Sequence, residues 1–175
     1  MRTRDIAIVG IFSALAFGLM FLEVPLLPFV NFLKYDPSEI PALILAVNSG
    51  IAQGITVILI KDILFYFAKS GDVIGIIMNF IAGAMFIILA AKLWKNKLLS
   101  SVVSVGGTSV LMTALNAATV PLYFIVMKWG SASDGFKFFL KVWWGILVFN
   151  ILKFSIDYVL TALINKRVRG LFKGE

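Results

Sequence analysis

Residues 40–67 read IPALILAVNSGIAQGITVILIKDILFYF, and only Lys61 and Asp62 in them are charged. As one helix the stretch would run about 42 Å, well beyond a hydrocarbon core of about 30 Å. Asn48-Ser49-Gly50 interrupts it. The stretch is therefore expected to form a short helix over 39–48 and a second over 51–68. Ser38 stands where it can cap the first of these, with Pro41 in the first turn.

Charge tests that division. If 40–67 crossed a membrane once, starting from an inside N-terminus, Lys92, Lys95 and Lys97 would fall outside. If it crosses twice, Arg2, Arg4, the Lys92–Lys97 cluster and the tail Lys166, Arg167, Arg169 and Lys173 all lie inside, offset only by Asp5 and Glu175. Lys34, Lys69, Lys128, Lys137 and Lys141 then face outward and are matched by Glu23, Asp36, Glu39, Asp72 and Asp134. The whole net charge of +7 belongs to the cytoplasmic face, as the positive-inside rule requires.

The flanks complete the count. An uncharged run follows Arg2, Arg4 and Asp5 and reads as a helix over 5–22. It is followed by Glu23-Val24-Pro25 rather than by a small-residue cleavage site, so it is not a signal peptide. After a proline-bearing loop, EVPLLPFVNFLKYDPSE over 23–39, come the two helices above. Further helices are expected over 73–91, 99–127 and 140–165, the last after the polar loop KWGSASDGFK. The expected fold is all-α: one domain, residues 1–175, a compact bundle of six transmembrane helices with both termini cytoplasmic.

Composition agrees. Of 175 residues 61% are hydrophobic and 14% charged, and mean hydropathy is +1.00. An average soluble domain carries about 25% charged residues. A soluble globule, a disordered chain and a coiled coil are excluded. In a membrane chain the basic excess speaks for topology and not for nucleic acid. There is no Cys and no His, which removes thiolate chemistry, the usual neutral-pH base and the commonest metal ligand. No G-x-x-x-x-G-K-[ST], H-E-x-x-H or G-x-S-x-G occurs, and no inverted repeat marks a self-sufficient transporter.

Polar residues within apolar helices are candidate site residues. They are Lys61, Asp62, Asn79, Asn116, Asn150, Lys153 and Asp157. At about 1.5 Å per residue, Lys61, Asn79, Asn116, Asn150 and Lys153 all lie within roughly 9–20 Å of the outer helix ends. They point to a pocket opening outward, with apolar walls and a few converging polar groups. Asn150, Lys153 and Asp157 share a face of helix 6. Either Asn150 and Lys153 bind a ligand while Asp157 neutralises Lys153, or the three form a structural ion pair and an interhelical bond. Lys61 either joins the pocket or snorkels outward. Gly10, Ala14 and Gly18 form a small-residue stripe on helix 1, for packing within the bundle or for docking a separate membrane subunit.

These features resemble the substrate-binding S components of energy-coupling factor (ECF) vitamin transporters, and within them the riboflavin-specific members. The resemblance rests on Lys34-Tyr35-Asp36-Pro37-Ser38-Glu39-Ile40-Pro41, on Lys61-Asp62-Ile63-Leu64 and on Asn150-x-x-Lys153, in that order along the whole chain. It implies binding of riboflavin near the outer face, with no cofactor, no metal and no enzymatic step. Asn150 and Lys153 would hold the polar edge of the flavin ring, with Asn116 a further contact. Asn79 and Lys61 would reach the ribityl chain, and Tyr35 and Asp36 would lie near a lid. The implied partners are a membrane coupling subunit on the Gly10-Ala14-Gly18 face and two cytoplasmic ATPases, in a prokaryotic cytoplasmic membrane. The family stripe is usually alanine; this one mixes glycine and alanine. The competing readings are an S component for thiamine, pantothenate or another vitamin, and a small intramembrane enzyme.

Overall fold

The apolar run 40–67 breaks at Gly50, whose φ of 125° side chains disfavour. Its N–H bonds to Ala46 O, ending α2 (Glu39–Ser49), and α3 (Ile51–Phe65) starts at once. The two helices fold back as a hairpin. A Cβ on Gly54 would stand 2.6 Å from Ala46 Cβ, so only glycine admits this approach. The computed structural model describes residues 3–70 and 72–172. Arg2, Lys173 and Glu175 of the charge count lie outside the described residues.

Six helices form the bundle: α1 (Thr3–Leu19), α2, α3, α4 (Val73–Lys92), α5 (Lys97–Val126) and α6 (Ala132–Val168). Four helical stretches are long and apolar enough to cross a membrane: 51–69, 73–92, 97–126 and 132–168. The shortest helix is the most enclosed. Residues 39–46 of α2 are all buried, packed among α1, α3, α4 and α6. A helix that is apolar all round belongs in the core. Leu43, Leu45, Val57, Ile58, Phe86 and Phe154 form the centre of that core.

α6 begins at Ala132, well before the expected 140. A capping box starts it. Ser131 Oγ accepts from Asp134 N, while Asp134 Oδ2 accepts from Ser131 N at 3.0 Å. α5 and α6 lie antiparallel and close, with a Cβ on Gly135 falling 2.6 Å from Pro121 Cα.

The loop between α1 and α2 also has regular structure. β1 (Val24–Pro25) pairs antiparallel with β2 (Lys34–Tyr35), and between them Pro28–Val30 forms a short 3-10 turn. Phe29 stacks on Trp144 of α6 at 4.6 Å between ring centres. Phe29 and Val30 press on Gly145, where a Cβ would stand 2.9 Å from either side chain. The loop is thereby clamped across α6.

Candidate functional site

A cavity of about 700 Å³ lies between α4, α5, α6 and the loop that joins α1 to α2. Its aromatic wall includes Phe124, Phe138, Phe149, Phe154 and Trp129, and Met78 and Met112 add softer surface. Asn79 (α4), Asn116 (α5), Asn150 and Lys153 (both α6) line it, as do Lys34, Asp72, Thr119 and Tyr123. Size and composition fit a small-molecule site.

Each cavity asparagine is anchored through its amide nitrogen. Asn116 Nδ2 donates to Met112 O and Asn150 Nδ2 to Ile146 O, both at 2.8 Å. Asn79 Nδ2 donates to Asp62 Oδ1 on α3 at 2.9 Å. Carbonyl and carboxylate oxygens only accept, so chemistry alone fixes these amide orientations. The three side-chain carbonyl oxygens are left without a protein donor among the described residues. The wall therefore offers fixed acceptors to an occupant.

Lys153 is 5% exposed. Its Nζ lies 3.3 Å from Asp36 Oδ2 and 3.4 Å from Glu39 Oε2. The expected intrahelical pairing with Asp157 is replaced: Asp157 Oδ1 accepts from Tyr35 Oη at 3.1 Å. The loop brings Asp36 and Tyr35 onto α6 together, and the two carboxylates exchange roles. Burial, helped by the negative Asp157 alongside, pushes the Tyr35 hydroxyl well above its ordinary value of 10.0.

Lys61 neither lines the cavity nor snorkels outward. It is fully buried, with Nζ 2.7 Å from Ser38 Oγ, 3.4 Å from Glu39 Oε1 and 3.3 Å from Asp62 Oδ1. Ser38 precedes α2 but does not cap it with its side chain. Its hydroxyl bonds Asp36 and Lys61 instead, since a bond to a charge outweighs a neutral cap. Asp36 is held below the usual carboxylate range. Burial would raise it, but Lys153, Lys61 and the bonds from Ser38 outweigh that. Behind the cavity, then, runs a buried chain of contacts: Asn79–Asp62–Lys61–Glu39–Lys153. It starts and ends on the cavity wall.

Against this geometry the comparisons with known proteins can be set. The family described as "ECF transporter, substrate-specific component" matches residues 4–165. The chain belongs to this family. A solved structure of the S component of a bacterial ECF transporter superposes with a TM-score of 0.80 at 27% identity, covering 99% of this chain and all of that one. Curated relatives include the riboflavin transporter RibU of Streptococcus thermophilus, 34% identical over 97% of this chain and 85% of that protein. The riboflavin transporter FmnP of Bacillus subtilis is 32% identical over 94% and 91%. RibU of Staphylococcus aureus is 29% identical over 98% and 94%.

In this S component the cavity brings together Asn79, Asn116, Asn150 and Lys153 of the expected site residues. Lys61, Tyr35 and Asp36 stand in the layer behind it. Sequence reasoning missed Glu39, which it placed among outer-face charges, although its position in the first turn of an apolar helix hinted at burial. It also missed Asp72 and Tyr123, joined at 2.6 Å on the cavity wall. Asp72 is the α4 N-cap, accepting from Gly75 N at 3.0 Å, and that position was a readable signal.

Proposed function

We propose that this S component binds riboflavin from the outer side of the membrane and delivers it inward as the substrate-specificity subunit of an ATP-driven transporter. The observation that carries this reading is the chemical make-up of the cavity. Its walls are flat and aromatic, its asparagines present acceptors, and its buried ammonium already faces two carboxylates. Such a site suits a neutral ligand. A free acid would want an uncommitted cation, whereas Lys153 faces Asp36 and Glu39 and Lys34 faces Glu23. Riboflavin is uncharged, with a flat tricyclic body. One ring edge carries an N–H between two carbonyls, and the ribityl hydroxyls are further donors. Asn150 and Lys153 take the ring edge, and Asn116 and Asn79 add polar contacts. Tyr35 and Asp36 act from the loop, and Lys61 acts from behind the wall. The names of the curated relatives support the same ligand.

The test is direct. Protein purified from cells is expected to be yellow, or to quench added riboflavin fluorescence at one equivalent. Excess thiamine or pantothenate should not displace the flavin. A colourless protein that retains no riboflavin would overturn the reading.

Delivery needs partners: a membrane coupling subunit and two cytoplasmic ATPases, which carry out the hydrolysis. Gly10, Ala14 and Gly18 are exposed on α1, and a Cβ on either glycine would meet no atom within 4 Å. The bundle does not use this stripe for its own packing, which favours it as the docking face. Both termini then face the cytoplasm of a prokaryotic cell. Gly10→Leu is expected to keep riboflavin binding by the isolated subunit and to abolish uptake in cells carrying the whole transporter.

A further inference from the structure

Two of the three cavity asparagines are oriented by their own helices, each through the carbonyl four residues back. Asn79 is the exception. Its amide is held across the bundle by Asp62 of α3, a residue that does not line the cavity and is 1% exposed. We propose that Asp62 is a positioning residue of the ligand site. It holds the Asn79 side chain in one rotamer with its nitrogen turned away, so that the carbonyl oxygen faces the cavity and accepts a hydrogen bond from the ligand.

Three features support a role in binding over one in stability. The other carboxylate oxygen, Asp62 Oδ2, is buried with no hydrogen-bond partner. A carboxylate kept only for folding would be poorly served by that arrangement. The buried cluster also has more acid than base: Asp36, Glu39, Asp62 and Asp157 surround only Lys61 and Lys153. Removing Asp62 leaves Lys61 with Glu39 and Ser38 and lessens the excess of negative charge. Finally, without Asp62 the Asn79 amide loses the acceptor that holds it across the bundle. Nitrogen and oxygen could then exchange places toward the cavity, which inverts what the α4 wall offers.

The inference rests on the riboflavin reading, and one set of measurements separates the two. Riboflavin affinity and the number of sites per protein are measured by fluorescence-quenching titration on the full chain in detergent. Asp62→Ala is expected to weaken binding about tenfold, the effect of one hydrogen bond. Asp62→Leu, which keeps the volume, should do the same if the alanine variant folds poorly. Asp62→Asn still offers an acceptor and should stay within about twofold of wild type. In an Asn79→Ala background, Asp62→Ala should add less than about twofold, because its effect passes through Asn79. Lost positioning should lower the affinity at an unchanged number of sites, whereas partial unfolding would lower the number of sites. Losses that multiply in the double variant, an Asp62→Asn protein as weak as Asp62→Ala, or a loss of sites at unchanged affinity would overturn the inference. A wild-type protein that binds no riboflavin would overturn the functional reading, and this inference with it.

Discussion

The cavity wall and the layer behind it are built from opposite materials. The wall is mostly aromatic and thioether surface with three neutral amides, and Lys34, Asp72 and Lys153 are its charged members. The layer behind is a buried cluster of carboxylates and ammoniums with almost no access to water. Lys153 is the one charged residue with a place in both. The contrast teaches that most of the buried charges in this bundle stand behind the wall and meet one another, while the wall itself is mainly apolar surface and amides. Buried ions need close partners to be tolerated, and the cluster supplies them. The amides need only fixed geometry, which the helices and Asp62 supply.

The largest expected effect breaks the residue shared by both layers. Lys153→Ala removes a cavity donor and leaves Asp36 and Glu39 facing each other, so riboflavin affinity should fall by at least about a hundredfold. Titration of the folded, monodisperse variant checks this. Next comes the cluster alone. Lys61→Met strips Glu39 and Asp62 of their shared counter-ion and should lower stability by about 3–5 kcal/mol. Thermal unfolding in detergent, read by ligand-free near-UV signal, measures it. Equal stability would show the cluster to be less dry than its burial implies.

A change to the wall should act on binding and spare the fold. Asn116→Ala is expected to weaken riboflavin about five- to tenfold, with stability changed by less than about 1 kcal/mol. The smallest effect belongs to the exposed rim, where Glu23 meets Lys34 at 2.9 Å and Lys69 at 2.7 Å. Burial would raise the Glu23 carboxyl, but the two lysines hold it below its ordinary 4.5. Its stabilisation is therefore present above about pH 4.5 and is lost as pH falls through the lowered value. Glu23→Gln should cost at most about 1 kcal/mol at neutral pH and nothing in strong acid. Unfolding curves at the two pH values compare them.

Much of this was readable along the chain. A lysine or asparagine inside an apolar helix stands out because a bilayer has no water to satisfy it, and that rule alone singled out Asn79, Asn116, Asn150 and Lys153, which line the cavity. The break at Gly50 was equally visible. The partners of the charges were not. Helical spacing pointed Lys153 to Asp157, its neighbour one turn on, but the loop delivers Asp36 to the ammonium and Tyr35 to the carboxylate. Lys61 was expected in the pocket or at the surface, yet its Nζ stands 3.3 Å from Asp62 Oδ1 in the buried cluster. The flexible lysine stem folds back toward the carboxylates gathered there. The early start of α6 was hidden by the polar composition of KWGSASDGFK, although Ser131-x-x-Asp134 has capping-box spacing.

The sequence by itself determined that this is a membrane bundle, that the 40–67 run divides at Gly50, and which polar residues stand inside apolar helices. These follow from local hydropathy, charge and glycine conformation, which depend on a residue and its near neighbours. Only the tertiary structure decided which carboxylate meets which ammonium, that Asn79 is held by Asp62 of another helix, and that the α1 stripe stays open. Those outcomes depend on contacts between α2, α3, α6 and the loop, over separations of up to 122 residues. Coulomb attraction and hydrogen bonding act over a few ångströms of space, whatever the distance along the chain.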